Sequence, residues 1–114
     1  MKQSIDGEMV KGHAEMLILA LLHREGPLHG YLIRKKLTDL SHQVLQPSYG
    51  RLYPHLATME KKGWLKSRTE VVCESRVRKA YSITATGRTE LKRRIKKWQL
   101  FSAGIDLILD DCQL

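Results

Sequence analysis

The chain has 114 residues, of which 42% are hydrophobic, so it can form one domain with a core and does not resemble a disordered chain. Its 20 Lys and Arg against 12 Asp and Glu leave a formal net charge of +8, which favours polyanionic partners. The longest apolar run, Met16 to Leu22, is much shorter than the roughly 20 residues of a membrane span, and no signal pattern opens the chain. We therefore predict a cytoplasmic protein without a membrane partner.

The positive charge is concentrated in the middle of the chain. Residues 1–45 carry a net charge of +1, residues 46–83 carry +5, and residues 84–114 carry +2. The excess falls on the segment that we assign below to a recognition helix and a basic hairpin. This placement favours nucleic-acid binding more strongly than net charge alone.

The cysteines and histidines form no recognisable catalytic or metal-binding motif. Cys73 and Cys112 give no CxxC pair, and the five histidines match neither HExxH nor a zinc-binding spacing. The chain also lacks GxSxG, Walker and GxGxxG patterns. We predict no enzyme activity, no catalytic residues, no cofactor and no metal. Cys73 is either a redox sensor or an incidental surface thiol.

Two helices are predicted in the first third of the chain. The first covers about Glu8 to Arg24 and ends before Gly26 and Pro27. Its run from Met16 to Leu22 is apolar on all sides, so we expect another subunit to cover part of it. The second helix covers about Gly30 to Leu40. Tyr31 near its start either contacts a phosphate or packs as a half-buried tyrosine.

The third helix begins at Ser48, a good N-cap, and is the recognition-helix candidate. An inward stripe is predicted for Tyr49, Leu52, Tyr53, Leu56 and Met59. An outward stripe of hydrogen-bonding side chains, which would also suit a solvated face, comprises Arg51, His55, Thr58 and Lys62. Arg51 is expected to contact a base edge, since its guanidinium can pair with both acceptors of guanine. Ser48 and Tyr49 suit phosphate or methyl contacts.

Pro54 lies inside this predicted helix, where it removes the hydrogen bond to Gly50 and crowds that carbonyl. Either the helix bends at Pro54 or its regular part begins later than Ser48.

Two short strands follow, from Trp64 to Val72 and from Val77 to Ile83, with residues 73–76 as the turn. Arg76, Arg78 and Lys79 are the expected DNA-binding cations of this hairpin, the wing. A solvated hairpin without DNA contacts is the alternative. The order helix, turn, helix and basic hairpin predicts a mainly α fold with a small β-hairpin, a winged helix-turn-helix domain over residues 1–83.

A long last helix is predicted from Thr84 to about Leu109, within a dimerisation segment that covers residues 84–114. A heptad seam with one polar break runs through Leu91, Ile95, Trp98, Ser102, Ile105 and Leu109. A long helix cannot bury such a seam alone, so we predict a homodimer. Its expected interface residues are Met16, Leu17, Leu91, Ile95, Trp98, Ile105, Ile108 and Leu109. The basic cluster from Lys92 to Lys97 is either a solvated face or a DNA contact.

The chain resembles the short PadR family of transcriptional regulators, which have a single C-terminal helix. The matching motifs, spread over about residues 9–100, are Lys11-Gly12-His13, Gly26-Pro27-Leu28-His29-Gly30-Tyr31, Ser48-Tyr49-Gly50-Arg51-Leu52-Tyr53-Pro54, Leu56, Met59-Glu60-Lys61-Lys62-Gly63, Arg78-Lys79-Ala80-Tyr81-Ser82-Ile83-Thr84 and Gly87. The wing departs from the family pattern, because it has no glycine between Glu74 and Tyr81 and has Ala80 where the family has a tyrosine.

The resemblance implies a homodimeric repressor whose two recognition helices enter successive major grooves. It also implies that a tryptophan in the position of Trp98 lines a cavity at the dimer centre, where a small aromatic effector stacks. Ile95, Phe101 and Ser102 are the further candidate walls of this ligand site. The alternative interpretation of Trp98 is an apolar anchor of the dimer. Such an effector would release DNA by changing the angle between the long helices.

These inferences lead to one functional prediction, a dimeric repressor with double-stranded operator DNA as its partner, released by a small aromatic ligand. The predicted DNA-binding residues are Tyr31, Ser48, Tyr49, Gly50, Arg51, Tyr53, His55, Arg76, Arg78 and Lys79. The alternative is a winged-helix module that contacts proteins and does not bind specific DNA.

Overall fold

The computed structural model describes residues 12–114. Four helices and three strands follow one another in this part of the chain: α1 (Ala14–Glu25), β1 (Leu28–His29), α2 (Gly30–Leu40), α3 (Tyr49–Lys61), β2 (Leu65–Cys73), β3 (Arg76–Ile83) and α4 (Ala85–Leu109). The predicted mainly helical winged helix-turn-helix fold is confirmed. None of these helices is both long and apolar enough to cross a membrane.

The helix bounds agree closely with the sequence pattern. The prediction for α2 is confirmed, and α4 begins after the predicted N-cap Thr84 and ends at Leu109. Helix α1 ends at Glu25, one residue beyond the prediction, and Gly26 follows with φ 81°, a conformation that glycine tolerates. The predicted start of α1 at Glu8, like the motif residue Lys11, lies outside the described residues.

The sheet has one strand more than predicted. Its order is β1-β3-β2, and both pairings are antiparallel. Strand β1 pairs Leu28 with Tyr81 and His29 with Ala80, so it attaches the end of α1 to the wing. Two residues are too few to show a periodic pattern, which is why the sequence predicted only the β2–β3 hairpin.

The core of the protomer forms around α1. Its largest fully buried side chains come from three helices and are Ile18, Leu19, Leu22, Ile33, Leu52, Leu56 and Met59. Much of the apolar surface of α1 is therefore covered within one protomer, which corrects the expectation that the whole apolar run needs a second subunit. Of the predicted interface residues on α1, Met16 and Leu17 remain half-buried and keep some surface for a partner. Leu91 needs a similar correction, because it is buried in this same core and has little surface left for a dimer interface.

Helix α4 packs very closely against the end of α3 and the start of β2. The hydroxyl of Thr84 accepts a hydrogen bond from the Gly87 N–H (3.0 Å) and donates one to the carbonyl of Gly63 (2.6 Å). A Cβ at Gly87 would lie 2.2 Å from the carbonyl oxygen of Trp64, a distance that no side chain tolerates. Glycine at this position therefore sets how closely α4 approaches the domain.

A charged network joins α4 to α1. The Arg94 guanidinium contacts Glu90 (2.6 Å) and Glu15 of α1 (3.0 Å), and it lies over the Trp64 ring with its Cζ 4.9 Å from the ring centroid. The hydrogen bond from Arg93, followed in strength by that from Arg94, lowers the pKa of Glu90 to about 2, although partial burial of the carboxyl group acts to raise it. Because half-buried ion pairs form a network here, they fix the helix more firmly than isolated surface pairs.

We predict that Gly87→Ala destabilises the protein by about 1–3 kcal/mol, because the added methyl group forces α4 away from Trp64. Urea unfolding monitored by circular dichroism measures the change. Gly104→Ala is the matched control in the same helix, since a Cβ there meets no atom within 4 Å. That control is expected to gain up to about 1 kcal/mol from helix propensity, and equal effects of the two substitutions would contradict the close-contact account.

Candidate nucleic-acid interface

The connection between α2 and α3 is held by hydrogen bonds that fix where α3 begins. His42 and Gln43 adopt positive φ angles of 53° and 68° and turn the chain after α2. The Ser41 hydroxyl accepts a hydrogen bond from the Leu45 N–H (2.9 Å), and Arg34 Nε donates one to the carbonyl of Pro47 (2.9 Å). These bonds attach the turn to α2 and orient the first residues of α3.

Helix α3 begins as the sequence predicts and continues through its proline. Ser48 is the N-cap, and its hydroxyl accepts a hydrogen bond from the Arg51 N–H (3.3 Å). The helix runs without interruption from Tyr49 to Lys61, so the alternative of a later start is wrong. Gly50 and Pro54 are both exposed, and water can therefore satisfy the carbonyl that Pro54 leaves without an intrahelical partner.

The outermost side of α3 is not the predicted outward stripe. Opposite the buried Leu52, Leu56 and Met59 lie four exposed residues spaced 4, 3 and 4 apart, which are Gly50, Pro54, Ala57 and Lys61. Three of them are small, so the helix backbone can approach a flat or grooved partner closely. Pro54, Ala57 and Lys61 were not predicted to form part of the interface, although their spacing opposite the core residues indicates an exposed face.

The predicted outward stripe lies beside this outermost face. Arg51, Thr58 and Lys62 are exposed, and the Lys62 Nζ lies 4.8 Å from the centroid of the Trp64 ring. His55 is half-buried, and its Nδ1 lies 3.4 Å from a carboxylate oxygen of Glu15 in α1. The structure thus directs His55 towards α1 and does not bring it together with the other predicted DNA-binding residues.

Three tyrosines form a row across the start of α2 and α3. The Tyr49 ring stacks between Tyr31, at a centroid distance of 6.0 Å, and Tyr53, at 6.1 Å. Arg34 supports the row, because its Cζ lies 4.9 Å from the Tyr49 ring centroid. Tyr31 is 58% exposed and Tyr53 46% exposed. The half-buried alternative for Tyr31 is therefore wrong, as is the inward assignment of Tyr53.

A groove separates this tyrosine row from the wing. Its volume is about 770 Å³, and Tyr31 and Tyr53 form one wall. The exposed wing cations Arg76, Arg78 and Lys79 line the other wall. Tyr81 lies at the buried base of the wing, and desolvation raises the pKa of its hydroxyl.

Several cations of this surface are available to an external anion. Arg51, Arg76 and Lys79 are exposed, and none of them forms an ion pair with any residue in the range 12–114. Arg76 and Lys79, together with the hydroxyls of Tyr31 and Tyr53, supply hydrogen-bond donors on both walls of the groove, and Arg51 lies outside it. Such an arrangement suits a phosphate backbone. No cluster of three or more metal-ligating side chains occurs in the described part of the chain.

The predicted ligand residues do not all line one groove of the protomer. Trp98 is 39% exposed and meets the ring of His13 edge-on at a centroid distance of 4.9 Å. Trp98 and Phe101 line an open groove of about 390 Å³ beside α1. Ile95 and Ser102 are not among the residues that line this groove. Of the predicted dimer-interface residues on α4, Ile95, Ile105, Ile108 and Leu109 are all exposed on the protomer.

Several solved structures similar to this chain are those of transcriptional regulators. A regulator from Clostridium thermocellum is 29% identical, with a TM-score of 0.80 over 88% of this chain and 96% of that chain. A PadR family regulator from Eggerthella lenta is 28% identical, with a TM-score of 0.79 over 92% of this chain and 88% of that chain. Bacillus subtilis PadR, crystallised in complex with operator DNA, is 28% identical, with a TM-score of 0.66 over 72% of this chain and 47% of that chain.

The family match covers the helix-turn-helix, the wing and the first part of α4. Residues 18–93 match the model of the transcriptional regulator PadR-like family, so the predicted family is confirmed on the helices and hairpin that carried the resemblance. Members of this family regulate transcription and are not enzymes, in agreement with the prediction from the sequence. The chain belongs to the PadR-like family of transcriptional regulators.

Proposed function

We propose that the protein is a homodimeric repressor that binds operator DNA through α3, the start of α2 and the wing. The observation that carries the proposal is the groove of about 770 Å³ between the tyrosine row and the wing cations. The complex of Bacillus subtilis PadR with operator DNA, a protein 28% identical to this chain, supports the same choice of partner.

In the proposed complex, α3 enters the major groove with its small-residue side first. Gly50, Pro54 and Ala57 let the helix backbone approach the bases, and Arg51 extends beside them to a guanine edge. Ser48 and Tyr49 at the helix start, with the hydroxyls of Tyr31 and Tyr53, contact backbone phosphates. His55 contributes least, because Glu15 already holds its ring.

The wing supplies the second part of the proposed DNA contact. Arg76, Arg78 and Lys79 stand on the opposite wall of the groove from Tyr31 and Tyr53. With α3 in the major groove, these cations lie over the adjoining backbone and add salt-dependent affinity. Because the wing is attached to α2 through β1, its position is coupled to that of the helix-turn-helix.

The homodimer proposal rests on the exposed apolar surface of α4. The helix has 25 residues, a length of about 38 Å, and its second half is exposed. Ile105, Ile108 and Leu109 would be buried by the α4 helix of a second copy, with Ile95 and Trp98 nearer the domain. Met16 and Leu17 of α1 extend the proposed interface.

We further propose that a small aromatic ligand releases the protein from DNA. The support for this proposal is the half-exposed Trp98 ring, which lies beside Phe101 and His13 at the border between α4 and α1. Ile95 and Ser102 do not line this groove, so the proposed site requires the second copy to complete it. A ligand stacked there would alter the contact between the long helices and hence the half-site spacing.

The residue that we expect to read a base is Arg51. Arg51→Ala should weaken operator binding by about 1–3 kcal/mol and relax sequence preference at one position. Fluorescence anisotropy on operator duplexes with single base changes measures both effects. Arg88→Ala, an exposed cation on α4 outside the proposed surface, is the matched charge control. If Arg51→Ala and Arg88→Ala bind and discriminate alike, Arg51 does not read the sequence.

Dimerisation is tested by placing a charge on the α4 seam. Ile105→Asp should dissociate the dimer, because an unpaired carboxylate would be buried between two helices. Sedimentation equilibrium gives the association constant. The control is Leu100→Asp, since Leu100 is 78% exposed and lies away from the seam. An unchanged dimer in Ile105→Asp would remove this seam from the interface.

The ligand site is tested with the planar dye 9-aminoacridine as a probe. Stacking on Trp98 should quench the protein fluorescence, and Trp98→Ala should abolish that quenching. The sequence has only two tryptophans, so Trp64→Phe reports Trp98 alone and should still be quenched. Quenching that persists in Trp98→Ala, or that is absent from Trp64→Phe, would exclude Trp98 as the stacking surface.

A further inference from the structure

Glu70 is an acidic residue in the middle of the basic wing. It lies on β2 directly opposite Arg78 of β3. One of its carboxylate oxygens is 3.3 Å from Arg68 Nη2, and the other is 3.8 Å from Arg78 Nε. That second oxygen is also 3.2 Å from Nε2 of His29 on β1. One carboxylate therefore faces potential cations from all three strands of the sheet.

His29 leaves this carboxylate available to the arginines. Both of its ring nitrogens are buried without a hydrogen-bond partner, so Nε2 does not point at Glu70 in hydrogen-bonding geometry despite the short distance. The Glu70 side chain is 30% exposed, whereas Arg78 is 54% and Arg68 is 79% exposed. The guanidinium groups thus face solvent while the carboxylate that holds them is set back.

A carboxylate and a phosphate bind a guanidinium in the same way, through paired N–H donors. A backbone phosphate that approaches Arg78 therefore competes with Glu70, whose carboxylate lies 3.8 Å from the Arg78 Nε. The nearby Arg76 and Lys79 have no such internal partner among residues 12–114, so the competition is confined to one part of the wing.

We propose that Glu70 is an internal counterion that competes with backbone phosphates for Arg78 and Arg68, and that it thereby lowers the affinity of the wing for DNA. The proposal rests on the proposed DNA-binding function. It assigns Glu70 a role in the strength of binding, since the carboxylate acts on phosphate contacts and lies apart from the base-reading side of α3. Removal of the Glu70 charge should therefore change the affinity for operator and unrelated duplexes alike.

The direction of one effect separates this role from a structural one. If Glu70 only braced the hairpin, Glu70→Gln would loosen the wing and weaken binding. If Glu70 competes with phosphate, the same substitution frees one or two arginines. DNA binding should then become at least about threefold tighter at low salt, and the slope of log K against log salt should steepen by about 1.

The experiment measures fluorescence anisotropy of Glu70→Gln and wild type with one unrelated duplex over a salt series, with thermal melting of each protein. Glu74→Gln is the matched control, because it removes the same charge at the wing tip from a residue with no ion pair in the described part of the chain. We expect Glu74→Gln to leave the salt slope unchanged. Binding by Glu70→Gln that is unchanged, weaker or lost through unfolding would overturn the proposal.

A second comparison excludes a general charge effect. In a protein that already carries Arg68→Gln and Arg78→Gln, Glu70→Gln should no longer tighten binding, because no guanidinium remains to be released. Equal tightening in both backgrounds would refute the competition. Failure of the proposed function looks different, since wild-type protein would then show no salt-dependent binding to either an operator or an unrelated duplex.

Discussion

The position of the tyrosine row depends on one close contact, between the backbone of Gly30 at the start of α2 and the ring of Tyr53 on α3. A Cβ at Gly30 would lie 2.8 Å from the half-exposed ring, so a side chain at this position would displace Tyr53 from its place. The contact leaves Tyr53 at the surface, where it continues the row of Tyr31 and Tyr49. Because β1 ends at His29, next to Gly30, the wing is fixed to the same point. Helix and wing are thereby positioned together, as a two-walled surface requires.

The second half of α4 is the part of the helix that we propose to form the dimer. Its first turns are fixed to the domain by Gly87 and by the network of Arg94 with Glu15 and Glu90. From Ile95 onwards the helix exposes most of its apolar side chains. A rigid attachment at one end would carry any change in helix pairing back to α1 and α3 through the Arg94 network. This connection gives the proposed ligand release a physical route, since α1 also contacts His55 of α3.

Much of this architecture follows from short-range sequence signals. Apolar periodicity and the caps Ser48 and Thr84 located α3 and α4, and charge counting located the basic wing. Contacts between distant residues were not predictable in this way. The two-residue strand β1 has no pattern of its own, His55 was assigned outward before Glu15 was known to face it, and Leu91 matched the seam spacing although the protomer buries it. The outermost side of α3 was not predicted, because its mostly small residues carry neither apolar periodicity nor hydrogen-bonding side chains.

The central claim is that the tyrosine row, α3 and the wing form one DNA-binding surface. Its most direct test is fluorescence anisotropy of the purified protein with a labelled duplex from the region upstream of its own coding sequence, compared with a scrambled duplex across a salt series. The account predicts selective binding that weakens steeply as salt rises, because phosphates contribute much of the affinity. Binding to genomic duplexes that shows neither sequence preference nor salt dependence would contradict it and would favour a module that contacts proteins.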